Sequence, residues 1–181
     1  MAMHAQAFAL DFVGTLIGRR DHAPVEMLPT SLHLAAWLRD SEIVDDKVFC
    51  SDRDLANARA VREAIYLLVA EQLHGEPSHD TEATALVNAT ARAACVVPQL
   101  DATGRRLLGS ASQALSSIAR NAIEILGGID ADFLKECARA GCTQVFLDHS
   151  RSSRRERCAT LVCGSRGKAR ASRSLQQLVV L

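Results

Sequence analysis

DRDLANARAVREAIYLLVAEQLH, residues Asp52–His74, is the stretch on which the fold turns. Leu55, Ala58, Val61, Ala64, Ile65, Leu68, Val69 and Leu73 recur at three- and four-residue intervals, the spacing of one face of an α-helix. Neither glycine nor proline interrupts the run. Asp52 stands where a cap belongs and Gly75 where a helix stops. The stretch therefore predicts one long amphipathic helix, and a helix of that length needs neighbours to cover its apolar face.

Candidates lie on both sides. Residues 8–17 supply Phe8, Leu10, Phe12, Val13, Leu16 and Ile17 to a short first helix. Pro29-Thr30-Ser31 then starts a second, with Leu32, Leu34, Ala35, Trp37 and Leu38 on it. After a loop at residues 75–80, a further helix runs from Thr81 to about residue 94. Residues 95–100 read as an extended segment and residues 101–104 as a turn, with residues 106–109 returning as a hairpin partner. A last long helix spans residues 110–126 and ends at Gly127-Gly128. Hydrophobic content is 48% but aromatic content only 4%, so the core rests on Ala, Leu, Val and Ile, a mixture that favours helix. The expected fold class is mainly α: a helical N-terminal domain, residues 1–128, and a small C-terminal module, residues 129–181.

In that last part the pattern changes. Cys137-x4-Cys142 and Cys158-x4-Cys163 form two matching pairs with fifteen residues between them. Structural Zn²⁺ takes four tetrahedral ligands, thiolate among the preferred ones, and each close pair can arrive from one turn. The segment is too small to bury a core by itself, so a metal would supply much of its stability. Buried unliganded cysteines and an iron–sulfur cluster are the rival readings. Four thiolates leave no open position for water, which argues against a catalytic metal. Thr143-Gln-Val-Phe-Leu147 reads as a strand and residues 155–159 as its return, making a short β-hairpin. Residues 165–175 read as a helix with Arg166, Arg170 and Arg173 on one face. Cys50 and Cys95 have no near partner, and His149 reads as an ordinary loop histidine.

Net charge is zero overall, yet residues 150–181 hold eight Arg or Lys against one acid, a net +7. The remaining thirteen basic and twenty acidic side chains give −7. A concentrated basic segment beside a thiol cluster is the footprint of a polyanion binder, with a solubilising tail as the plainer reading. Residues 1–10 lack a basic stretch ahead of apolar residues, so no signal peptide is expected, and no apolar run approaches the roughly 18–20 residues of a membrane span. The expected location is the cytoplasm, where thiols stay reduced and serve as ligands or buried hydrophobes rather than disulfides.

At these residues the chain resembles the CGNR zinc-finger family, which pairs its finger with an N-terminal helical region called ABATE. The motif reads Cys163-Gly164-Ser165-Arg166, Ser standing where the family has Asn. Residues 146–150, PheLeuAspHisSer, resemble the family's Phe-x-Asp-x-Ser segment. Arg157 stands where the family has Trp before the third ligand. LeuAspPheValGlyThrLeu, residues 10–16, resembles the family's LDFVNTL opening with Gly14 in place of Asn. Residues 36–38 and 61–66 are similar to its helical signatures. The resemblance implies Zn²⁺ at Cys137, Cys142, Cys158 and Cys163 and a DNA-binding role in transcription regulation.

On that reading Arg151, Arg154, Arg155, Arg166, Lys168 and Arg170 contact phosphate, and the helical body senses a signal, such as a small-molecule effector, or forms a homodimer. The alternative is a zinc-stapled protein-interaction module whose arginines meet an acidic partner. Asp11, His33, Glu63 and His74 share no catalytic spacing, so no enzyme is expected.

Overall fold

A computed structural model describes residues 7–75, 81–102, 104–150 and 152–158. The long helix is there as read, α3, Asp52–His74. Its cap is Ser51 rather than Asp52. Ser51 Oγ accepts the Asp54 amide, and the Asp54 carboxylate accepts the Ser51 amide, a reciprocal capping box. Gly75 ends the helix in the left-handed region, φ 69°, where an L side chain would be strained.

Around it stand α1 (Phe8–Val13), α2 (Ser31–Asp40), α4 (Thr81–Ala91) and α5 (Ala111–Gly127). Strands β3 (Val97–Asp101) and β4 (Gly104–Leu108) form the antiparallel hairpin expected between α4 and α5. The core is a contiguous cluster of Phe12, Val13, Leu34, Leu38, Ile65, Val69, Ile118 and Ile125 among others, all nearly fully buried. Helix α5 opens on its own capping box, Ser110 with Gln113, and turns Ala111, Ala114, Ala119 and Ala122 inward, which lets α1, α3 and α4 approach closely. Helix ends are closed by side chains. Asn121 Oδ1 accepts the Ala9 amide of α1 at 3.0 Å, and Arg120 and Ser116 donate to the carbonyls of Ala91, the last residue of α4, and of Ala93 just past it.

Two further local expectations give way. The first helix stops at Val13. Leu16–Ile17 becomes β1, paired antiparallel with β2, Val25–Glu26. Thr15 Oγ1 donates to the Phe12 carbonyl, and the Thr15 amide bonds the same oxygen, which closes the helix there. Residues 143–147 do hold a strand, β6 (Val145–Leu147), but its ladder partner is β5, Leu134–Glu136, and not the described residues 155–158 of the expected return strand. Described residues 155–158 carry no strand, and the short-range alternation that marks β6 says nothing about which segment it will pair with. Arg62 of α3, at 2% exposure, is buried and pairs with its neighbour Glu63 at 2.7 Å.

A 3-10 turn, Ile129–Phe133, leads from α5 into β5. Leu134 of β5 and Val145 of β6 belong to the main core cluster, so the C-terminal hairpin is packed on the helical body. The expected helix at residues 165–175 lies outside the described residues.

Candidate metal centre

The C-terminal hairpin sets the first pair of thiols. Cys137 follows β5, and its amide donates to the Gln144 carbonyl at 2.9 Å across the base of the loop. The Cys142 amide turns back to the Arg139 carbonyl at 2.9 Å, and Gly141 makes the reversal with φ 74°. Two sulfurs five positions apart in sequence thereby converge from one tight loop.

The third thiol is brought in by a buried carboxylate. Asp148, 1% exposed, follows β6. It accepts from Lys135 Nζ at 2.7 Å, from the Ser150 amide at 3.1 Å and hydroxyl at 2.5 Å, and from the Arg155 amide at 3.0 Å. These bonds hold its pKa far below the usual carboxylate range, Lys135 first among the causes. They also fix the path of residues 149–155. The Ala138 amide then donates to the Glu156 carbonyl at 2.8 Å, laying the incoming segment against the first loop. Cys158 arrives with its Sγ 3.9 Å from Cys142 Sγ.

The Sγ atoms of Cys137, Cys142 and Cys158 all lie within 4.8 Å of one another. A tetrahedral Zn²⁺ with bonds of about 2.3 Å has sulfur–sulfur edges of about 3.8 Å. The donor set and its spacing therefore fit Zn²⁺ with small adjustments. Phe146 packs beneath the sulfurs, and the Arg155 guanidinium lies 4.6 Å over its ring. Burial pushes the Cys137 thiol up. Bonds from the Arg139 and Cys158 amides and from the other two thiols outweigh it, and bring the pKa down to about 7. The lowered value favours the thiolate, the form that binds metal.

Of the other expected ligands and contacts, Cys163, Arg151, Arg166, Lys168 and Arg170 lie outside the described residues. Arg154 and Arg155 are exposed on the approach to Cys158, and Arg155 Nε donates to the Arg157 carbonyl. His149 turns from the thiols to Asp130, 3.4 Å away, and to the Phe133 ring. Cys50 is buried beside α3, where desolvation and then Asp54 push its thiol up to about 11. The sequence marks Asp148 by its place in PheLeuAspHisSer, but the bonds it collects from residues 135, 150 and 155 leave no trace in the letters.

Residues 6–129 match the family model ABATE, whose description is "Putative stress-induced transcription regulator". That is well over half of the chain. The chain belongs to the ABATE family. In this ABATE protein, residues 134–175 match the CGNR zinc finger, the segment that contains all four cysteines of the two pairs. Zinc is thus the metal of the module's own family, and three of its thiols stand together as such an ion requires. Both families are of regulatory and zinc-finger type. No curated protein matches the chain. Among the described residues of this ABATE protein, no helix is long and apolar enough to cross a membrane.

Proposed function

We propose that this chain is a zinc-dependent, DNA-binding transcription regulator. Zn²⁺ is held by Cys137, Cys142, Cys158 and Cys163, and the ion's part is structural: it closes the loop between residues 137 and 163. The observation that carries the reading is the convergence of three thiols at the root of the net +7 segment, with Arg154 and Arg155 already exposed beside them. Guanidinium groups there, with Arg151, Arg166, Lys168 and Arg170, supply phosphate contacts. The helical body receives a signal or pairs with a second copy.

The test is duplex binding by the zinc-loaded full chain over rising salt, with several unrelated sequences. The logarithm of affinity should fall linearly with the logarithm of salt concentration, and Arg154→Ala should flatten the slope by about 0.9. Chelation or Cys158→Ser should abolish binding. An affinity that ignores salt would defeat the proposal.

A second reading, a zinc-stapled protein-interaction module, is favoured by apolar side chains displayed on the body. Phe49 is 88% and Leu100 86% exposed. Recovery of a protein partner without nucleic acid, lost on Leu100→Ser, would support it.

A further inference from the structure

Three side chains of the C-terminal hairpin reach into the N-terminal part of the body, and each is next to a thiol or one residue further on. Glu136 precedes Cys137; Thr143 and Gln144 follow Cys142. Arg20 grips Glu136 with two prongs, 2.7 Å and 3.0 Å. Thr143 Oγ1 accepts the Arg19 amide at 3.2 Å. Gln144 Nε2 donates to the Gly14 carbonyl at 3.0 Å. All three body partners lie within residues 14–20, the segment that leaves α1.

That segment is itself held from the core. The Arg19 guanidinium donates to the carbonyls of Val13 at 2.7 Å and Leu16 at 2.9 Å, pairs with Glu63 of α3 at 3.1 Å and lies 4.2 Å over the Tyr66 ring. Glu63 is paired in turn with buried Arg62 at 2.7 Å. A continuous set of contacts therefore runs from the core of α3 to the neighbours of the first two thiols. The fit at Gly14 is close. Its φ of −63° suits any residue, but a Cβ there would stand 2.6 Å from Gln144 Oε1. Room for Gln144, not backbone freedom, is what glycine provides.

We propose that Arg19 and Arg20 are positioning residues for the metal. The N-terminal segment sets the placement of Cys137 and Cys142, so metal affinity and body stability are linked, and by thermodynamic necessity the linkage runs both ways. The proposal rests on the thiol cluster holding a metal. An exposed ion pair by itself contributes little, and Arg20 is 56% exposed. The fork geometry, the 19% exposure of Glu136 and the arrival of three contacts on one loop raise this pair above that class.

The experiment uses the full chain and zinc. Affinity is read by competition with a chromophoric chelator. Body stability is read from the fluorescence of Trp37, the chain's one tryptophan, which sits on α2 with its ring centroid 5.1 Å from that of Phe12. Arg20→Ala should weaken zinc binding about fivefold and shrink the zinc-induced rise in Tm. Arg20→Lys keeps the charge but loses the fork, and should behave like the alanine variant. Cobalt-loaded variants should keep the absorption of a tetrahedral thiolate site, because the ligands are unchanged. Affinity unchanged in both variants, with Tm lowered equally with and without zinc, would make the pair merely structural and overturn the proposal. A lysine variant equal to wild type would reduce it to a charge effect and overturn it too. A wild-type chain that takes up no zinc would remove the metal reading and this proposal with it.

Discussion

Removing the Arg62 side chain leaves Glu26 and Glu63 without the cation that joins them. Arg62 donates to both oxygens of Glu26, at 2.7 Å and 2.8 Å, to Glu63 at 2.7 Å and to Thr15 Oγ1 at 3.1 Å. The glutamates left behind are partly exposed and keep Arg59 and Arg19 as partners, so Arg62→Ala should lower the urea midpoint by less than the about 3–5 kcal/mol that breaking a fully buried pair costs. Burial raises the pKa of Glu26, but Arg62 and the Leu28 amide lower it more, so it ends below its ordinary 4.5. The sign follows from that depression. Glu26 contributes stability above pH 4.5, and the contribution is lost as pH falls through its lower folded value. Thermal melts between about pH 6 and pH 3 should fall less steeply for Arg62→Ala than for wild type. Part of this was legible. Position 62 is four residues after Ala58 and three before Ile65, on the face the apolar pattern turns inward. Its partner was not, because Glu26 comes from a two-residue strand that no periodicity announces.

Helix starts show the same division at the scale of elements. Ser51 and Ser110 each stand three residues before a side chain able to return the bond, yet the acidic Asp52 beside Ser51 drew the expected cap one residue too far. Ser51→Ala should cost about 1 kcal/mol, measurable by chemical denaturation. The hairpin between α4 and α5 was readable, since its two strands flank a short turn. The C-terminal hairpin was half readable. Residues 143–147 pattern as a strand, but β5 is three residues long and sits directly against a 3-10 turn. What organises the rest of the module is Asp148, whose four donors come from three places in the chain: Lys135, Ser150 and Arg155. Asp148→Asn keeps the shape and removes the charge that Lys135 and the two amides meet. It should lower zinc affinity, as read by chelator competition, because residues 149–155 lose the fixed path that delivers Cys158. Because zinc displaces protons from thiols, affinity in the same assay should also rise with pH.

For the molecule as a whole, the sharing of one core decides what metal loss does. Leu134 and Val145 are buried among residues of the helical body, so hydrophobic burial holds the hairpin whether or not the thiols are bridged. Chelation or Cys158→Ser should leave the far-UV signature of the helices intact while abolishing metal uptake. A collapse of helicity on chelation would contradict this packing. The spacing of the thiols suggested a module stabilised mostly by its ion; the long-range contacts of Leu134 and Val145, invisible in a one-dimensional pattern, shift that weight to the body. The close fit at Gly14 bears on how body and finger can be exchanged. A side chain at position 14, such as the Asn of the family's opening motif, would need the space that Gln144 fills in this chain. Gln144 would then turn its flexible end aside and give up its bond to the residue 14 carbonyl. Grafting this finger onto a body without the matching glycine would cost it that one handhold.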